Sequence, residues 1–104
     1  MNQWNPISLE ELFEIINNQV SQMNLKQRVF WESISIFPEK WKEDNYGYEG
    51  NGFWALGIYK SNVIWYNDIE EGFSISSYTQ RGKIDEYWTN QDELIQALKS
   101  MNGE

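Results

Sequence analysis

Leu9, Leu12, Phe13, Ile16, Val20 and Met23 recur at three- and four-residue spacing, and Glu10, Glu11, Glu14, Asn17 and Asn18 fall largely between them. That period predicts an amphipathic helix with one apolar face. Ser8 and Glu11 form the S-x-x-E pattern in which hydroxyl and carboxylate satisfy each other's backbone donors, so the helix should begin near Leu9. From Leu25 on, Val29, Phe30, Trp31 and Ile34 predict a second short helix that passes into an extended segment before Pro38. Pro38 biases Phe37 away from helical geometry, and residues 38–45 read as a turn or short helical turn leading into a loop. Residues 46–52 continue that loop, with glycines at 47, 50 and 52.

From Phe53 the pattern turns to strands. Residues 53–59 are rich in aromatic and aliphatic side chains, Lys60-Ser61-Asn62 suits a tight turn, and residues 63–66 supply a second strand. The run 67–72 links this hairpin to residues 73–78, where Phe73 and Ile75 alternate with Ser74 and Ser76. A turn at Gln80-Arg81-Gly82 and a fourth strand over 84–88 follow. Asn90 and Glu93 form a second capping-box pattern before a helix carrying Leu94, Ile95, Ala97, Leu98 and Met101. The expected fold is α+β over a single domain, residues 1–104: two N-terminal helices, a four-stranded antiparallel meander, and a C-terminal helix packed on one sheet face.

Composition narrows the function. Sixteen carboxylates against eight Lys plus Arg give a net charge of −8, which disfavours self-association and attracts cationic partners. Nucleic acid and anionic membranes are poor partners for such a field. The start of the chain lacks the basic, apolar run of a signal peptide, and no apolar stretch approaches ~18 residues, so the expected compartment is the cytoplasm. The absence of cysteine is compatible with that compartment.

Histidine and cysteine are both absent, which removes Cys/His and Ser/His nucleophile systems and the usual zinc ligand sets. No enzyme activity, cofactor or metal is expected. Carboxylate-pair chemistry would need a cleft holding a sugar between two spaced acids, which a domain of this size rarely offers. A calcium loop starting at Asp68 would need glycine at its sixth position and glutamate at its twelfth, where Phe73 and Thr79 stand. Aromatic stacking platforms for single-stranded nucleic acid work beside a cationic groove, yet residues 65–86 hold five acids and only Arg81 and Lys83. Trp54, Trp65 and Trp88 are expected in the core, whereas Trp4, Trp41, Tyr46 and Tyr48 are candidates for exposure. Charged turns are commonly just solvated, but here a meander could bring Asp68, Glu70 and Glu71 toward Asp85 and Glu86, with Tyr66, Tyr78 and Tyr87 close in sequence. Acidic rims with aromatic anchors suit a cationic protein partner.

The runs Gly52-Phe53-Trp54-Ala55-Leu56-Gly57-Ile58-Tyr59, Val63-Ile64-Trp65-Tyr66-Asn67-Asp68-Ile69-Glu70-Glu71-Gly72-Phe73 and Ile84-Asp85-Glu86-Tyr87-Trp88-Thr89-Asn90-Gln91-Asp92-Glu93-Leu94 resemble small bacterial immunity proteins of the contact-dependent growth inhibition type. The resemblance covers the chain from Pro38 on and rests on composition and phrase, not on a catalytic signature. It implies a cytoplasmic antidote that binds the C-terminal toxin domain of a cognate protein, often a basic nuclease such as a ribonuclease, as a monomer in a heterodimer. It transfers no functional residues. The expected contacts are therefore those of the charge reading: Asp68, Glu70, Glu71, Asp85 and Glu86 against Lys and Arg, with Tyr66, Tyr78 and Tyr87 as anchors. The alternative is an acidic adaptor or regulatory domain without a toxin partner.

Overall fold

A computed structural model of the chain describes residues 5–46 and 52–102. Helix α1, Leu9–Ser21, opens on the expected capping box: Glu11 N–H donates to Ser8 Oγ at 3.1 Å, and the Glu11 carboxylate accepts back from Ser8. Helix α2, Leu25–Ile34, has a second box in which Gln27 N–H donates to Asn24 Oδ1 at 2.8 Å and Asn24 N–H donates to Gln27 Oε1 at 3.0 Å. Each box satisfies donors that a helix start leaves without an intrahelical partner. Ser35 then turns extended, and the chain enters strand β1, Ser35–Trp41.

Strands β2 (Phe53–Tyr59), β3 (Asn62–Asn67) and β4 (Gly72–Ser77) complete an antiparallel sheet in the order β1-β2-β3-β4. Helix α3, Leu94–Asn102, returns to pack beside β4. The α+β meander with flanking helices is therefore as the hydrophobic pattern predicts, but its strands are not the four expected. The first is β1, which begins in the extended segment expected before Pro38 and continues through residues 38–41, read as a turn. Pro38 fits there because β1 is an edge strand, where a missing N–H breaks no ladder, and the register shifts between Ser35 and Glu39. Residues 84–88 are not a strand. They belong to an irregular strap, residues 78–92, that crosses the sheet.

The sheet buries both faces, against different covers. On the inner face Leu56, Ile64, Tyr66 and Phe73 meet Leu12, Ile16, Trp31 and Ile34 of the first two helices and Leu94, Ala97 and Leu98 of the third. On the outer face Trp41, Phe53, Ala55, Val63 and Trp65 meet Ile84 of the strap, with Tyr78 and Tyr87 packed alongside. Trp41, expected to be exposed, is fully buried there, its ring 5.0 Å from that of Tyr78.

A strap without a ladder must place its backbone polar groups elsewhere. Lys42 N–H donates to Gly82 O and Ile84 N–H to Lys42 O, both at 2.9 Å, which pins the strap to the end of β1. Ser76 Oγ donates to Glu86 O at 2.6 Å and itself accepts from Trp65 Nε1 at 2.9 Å. Asn67 Nδ2 donates to Trp88 O at 2.8 Å, and Phe73 N–H donates to Asp92 O at 2.9 Å. Gly72 makes that last crossing possible, because a methyl group there would fall on Asn90 O and Gln91 Cα. The helix predicted to open at Asn90 starts only at Leu94, where Gln96 Oε1 accepts from Glu93 N–H at 2.7 Å.

Candidate functional site

The turn between β3 and β4 is built by one side chain. Asn67 is fully buried, and its Oδ1 accepts from Ile69 N–H at 3.0 Å and Glu70 N–H at 3.1 Å, so residues 68–71 fold over it in an Asx-type turn. Glu71 takes φ +59° to close the turn into Gly72. This geometry sends the turn's acids to two sides.

Glu70 faces the outer side. Burial holds the Tyr87 hydroxyl above its ordinary pKa; the hydrogen bond from Asn67 works against this, and the negative charges of Glu70 and Glu43, with Tyr46 beside them, add to it. Tyr87 lies 4.4 Å from Tyr46 between ring centroids and 5.9 Å from both Phe53 and Trp65. Glu43 is almost fully buried, and its carboxylate accepts from Asn45 N–H, Asn45 Nδ2 and Tyr46 N–H. That turn presents Tyr46, which is 54% exposed, above the aromatic cluster. Ile69 projects nearby from the β3–β4 turn, 39% exposed.

Asp68 and Glu71 face the inner side. Asp68 Oδ2 accepts from Ile7 N–H at 2.7 Å, tying the start of α1 to the turn. With Glu11, Tyr66, Asn5, Pro6 and Ile7 they line a groove of about 270 Å³. The Tyr66 hydroxyl is raised above its ordinary pKa, first by burial and then by the charges of Glu71 and Asp68.

The predicted site residues thus separate. Asp68, Glu70, Glu71 and Tyr87 come together at one end of the β3–β4 hairpin. Asp85 and Glu86 do not join them: Asp85 N–H donates to Ser77 O, and Glu86 Oε1 accepts from Ser77 N–H at 3.2 Å and Ser77 Oγ at 3.0 Å. Ser77 ends β4 while Gly72 begins it, so at about 3.4 Å per residue the two acidic groups stand ~17 Å apart. Glu86 holds the strap to β4. Tyr66 is core, only 7% exposed, with its ring 5.0 Å from Phe73. Tyr78 covers Trp41 and is half-buried.

Two surface residues, Trp88 and Ile69, alter the expected picture. Tyr46 is exposed as predicted, whereas Trp88, expected in the core, is 46% exposed beside the same turn. Ile69 had no signal beyond its place in an acidic loop. Trp4 and Tyr48, the other candidates for exposure, lie outside the described residues.

Most basic groups near the sheet are engaged within the chain. Arg81 grips Glu39 through Nε at 3.2 Å and Nη2 at 2.7 Å, Lys83 pairs with Asp44 at 3.4 Å, and Lys40 sits 4.7 Å above the Trp54 ring while donating to Gly52 O. Among the described residues, Glu70 and Glu71 have no cationic partner. Lys40 is close enough for the Asp68 charge to act on it, so the uncompensated negative charge of the hairpin end is that of Glu70 and Glu71. Comparison with family models, curated proteins and solved structures finds no match to this chain.

Proposed function

We propose that this chain is an antidote of the immunity-protein type, which binds a basic toxin domain and covers its active site. The observation that carries the reading is the hairpin end itself. Glu70 and Glu71 are unpaired among the described residues, and Tyr46 and Tyr87 offer aromatic surface on the Glu70 side of the turn, with Ile69 exposed at its tip. Interfaces draw most of their affinity from a few aromatic and charged anchors, and charge complementarity raises the association rate. A nuclease is the partner class that such a surface suits, because a site that attracts phosphate presents Lys and Arg.

On this reading the protein acts by binding and not by catalysis. Its contact residues are Glu70, Glu71 and Asp68 of the turn, with Tyr87 and Tyr46 as anchors. Asp85 and Glu86 contribute to the acidic field from the far end of β4.

The test is co-expression with the protein encoded immediately upstream, followed by co-purification and titration of the complex against salt. The expected result is a complex that weakens as salt rises and suppresses the toxicity of its partner. A partner that neither co-purifies nor loses toxicity would exclude the antidote role.

A further inference from the structure

Beside the acidic turn, between β4 and α3, lies a groove of about 290 Å³ lined by Phe73, Ile75, Trp88, Asn90, Asp92, Ala97 and Ser100. Its size falls at the bottom of the range for small-molecule sites, which suits one long side chain better than a whole ligand. Phe73, Ile75 and Ala97 make an apolar floor. Trp88 supplies a half-exposed indole, and its place is fixed through the backbone, since Trp88 O accepts from the buried Asn67. Asp92 supplies a carboxylate held through its own backbone oxygen by Phe73 N–H. Asn90 Nδ2 donates to Asp92 Oδ2 at 3.2 Å, and Oδ1 has no partner among the described residues.

An apolar floor, an aromatic face and a carboxylate together match one side chain in particular. Arginine packs its methylenes on apolar surface, stacks its guanidinium on an indole, and donates to a carboxylate from a planar fork. The surroundings favour a cation too, because Gly72, against which Asn90 and Gln91 pass, directly follows Glu70 and Glu71.

We infer that the Trp88–Asp92 groove is a receptor for a single arginine side chain of a basic protein partner. As a contact of the proposed antidote it rests on the function proposed above. As a binding site for arginine it stands on the groove alone.

The groove is tested with a short blocked peptide, glycine-arginine-glycine, against its citrulline counterpart, which keeps the shape and lacks the charge. The readout is the indole N–H resonance of Trp88, assigned by its disappearance in Trp88→Phe. A saturable shift with the arginine peptide is expected, with about tenfold weaker binding in Asp92→Asn, as befits loss of a charged hydrogen-bond acceptor. The citrulline peptide should leave the resonance unmoved. Equal shifts from both peptides, or an Asp92→Asn protein that binds as wild type does, would overturn the inference. Unfolding in urea should match wild type for Asp92→Asn, which separates lost binding from lost structure.

A second arm separates this groove from the antidote role. If the upstream-encoded protein binds wild type and Asp92→Asn equally well, the groove is not its contact and the antidote role stands without it. If the arginine peptide binds but no partner is captured, the groove stands and the antidote role falls.

Discussion

Ser74 and Ser76 stand two residues apart on the same face of β4, opposite Trp65 and Val63, and both are almost fully buried. Their hydroxyls differ. Ser76 Oγ joins Trp65 Nε1 to Glu86 O, whereas Ser74 Oγ has no partner among the described residues. A buried polar group left unpaired costs about 1–3 kcal/mol, while deleting one that is already unpaired removes a penalty. Ser76→Ala should therefore lower unfolding stability by roughly 1–3 kcal/mol, and Ser74→Ala should leave it unchanged or raise it slightly. Urea denaturation of the two variants checks this, and equal losses would contradict it. The sequence shows two serines alternating with Phe73 and Ile75, which places them correctly on the face away from the helices. It cannot show that this face is buried too, because its cover comes from an irregular strap. The same blind spot explains Trp41 and Trp88. Trp41 lies under the strap, and Trp88 lies on it with its ring turned partly to solvent.

The strap and the edge strand β1 are the two elements that periodicity misreads, for related reasons. The run Ile84 to Trp88, with Tyr87 and Trp88 at its end and a turn before it, reads as a strand, but the segment lacks a continuous partner backbone and hydrogen-bonds through Asn67, Ser76 and Ser77. Residues 38–41 carry Pro38, Glu39 and Lys40, an unpromising strand sequence, yet at a sheet edge the proline costs no ladder bond and Lys40 finds the Trp54 ring. The capping boxes at Ser8 and Asn24 follow local rules, and the first was legible where the second went unread. Glu39 joins the two misread elements. The Arg81 guanidinium, and after it the Trp41 indole, hold the Glu39 carboxyl below the usual carboxylate range, against the opposing effect of burial. Since the folded pKa is depressed, the stabilisation is complete above the unfolded value of about 4.3 and is lost as pH falls through the folded value. Protection of Lys42 N–H and Ile84 N–H against hydrogen exchange should therefore decline in acid before that of the β2–β3 ladder. Glu39→Gln should show the weaker protection already at neutral pH, with little further change on acidification. The loss should be modest, because the ion pair is largely solvent-exposed. Protection factors that match wild type at both pH values would mean that Arg81 does not hold the strap.

At the scale of the molecule, a net charge of −8 is a property of composition, but where it is uncompensated is a property of the fold. Arg81 and Lys83 are spent on Glu39 and Asp44 at the strap's far turn, while Glu70, on the side of Tyr46 and Tyr87, and Glu71, on the other side of the same turn, stand unpaired among the described residues. Composition alone predicts attraction of any cationic partner from any side, whereas the fold predicts attraction toward one end of the β3–β4 hairpin. The two are separable by moving the same amount of charge at two places. Glu70→Lys with Glu71→Lys changes the net charge by four units, from −8 to −4, and so does Glu14→Lys with Glu32→Lys on the exposed faces of α1 and α2. If the hairpin end meets the partner, the turn pair should slow association by about tenfold or more at low salt and flatten its salt dependence. The helix pair, with an identical net charge, should slow it far less, because at physiological salt a charge beyond ~8 Å from the contact is largely screened. Stopped-flow association with the co-purified partner across a salt series distinguishes them. Equal slowing by both variants would reduce the acidic face to bulk charge and move the specific contacts elsewhere on the surface, with the Trp88–Asp92 groove the next place to look.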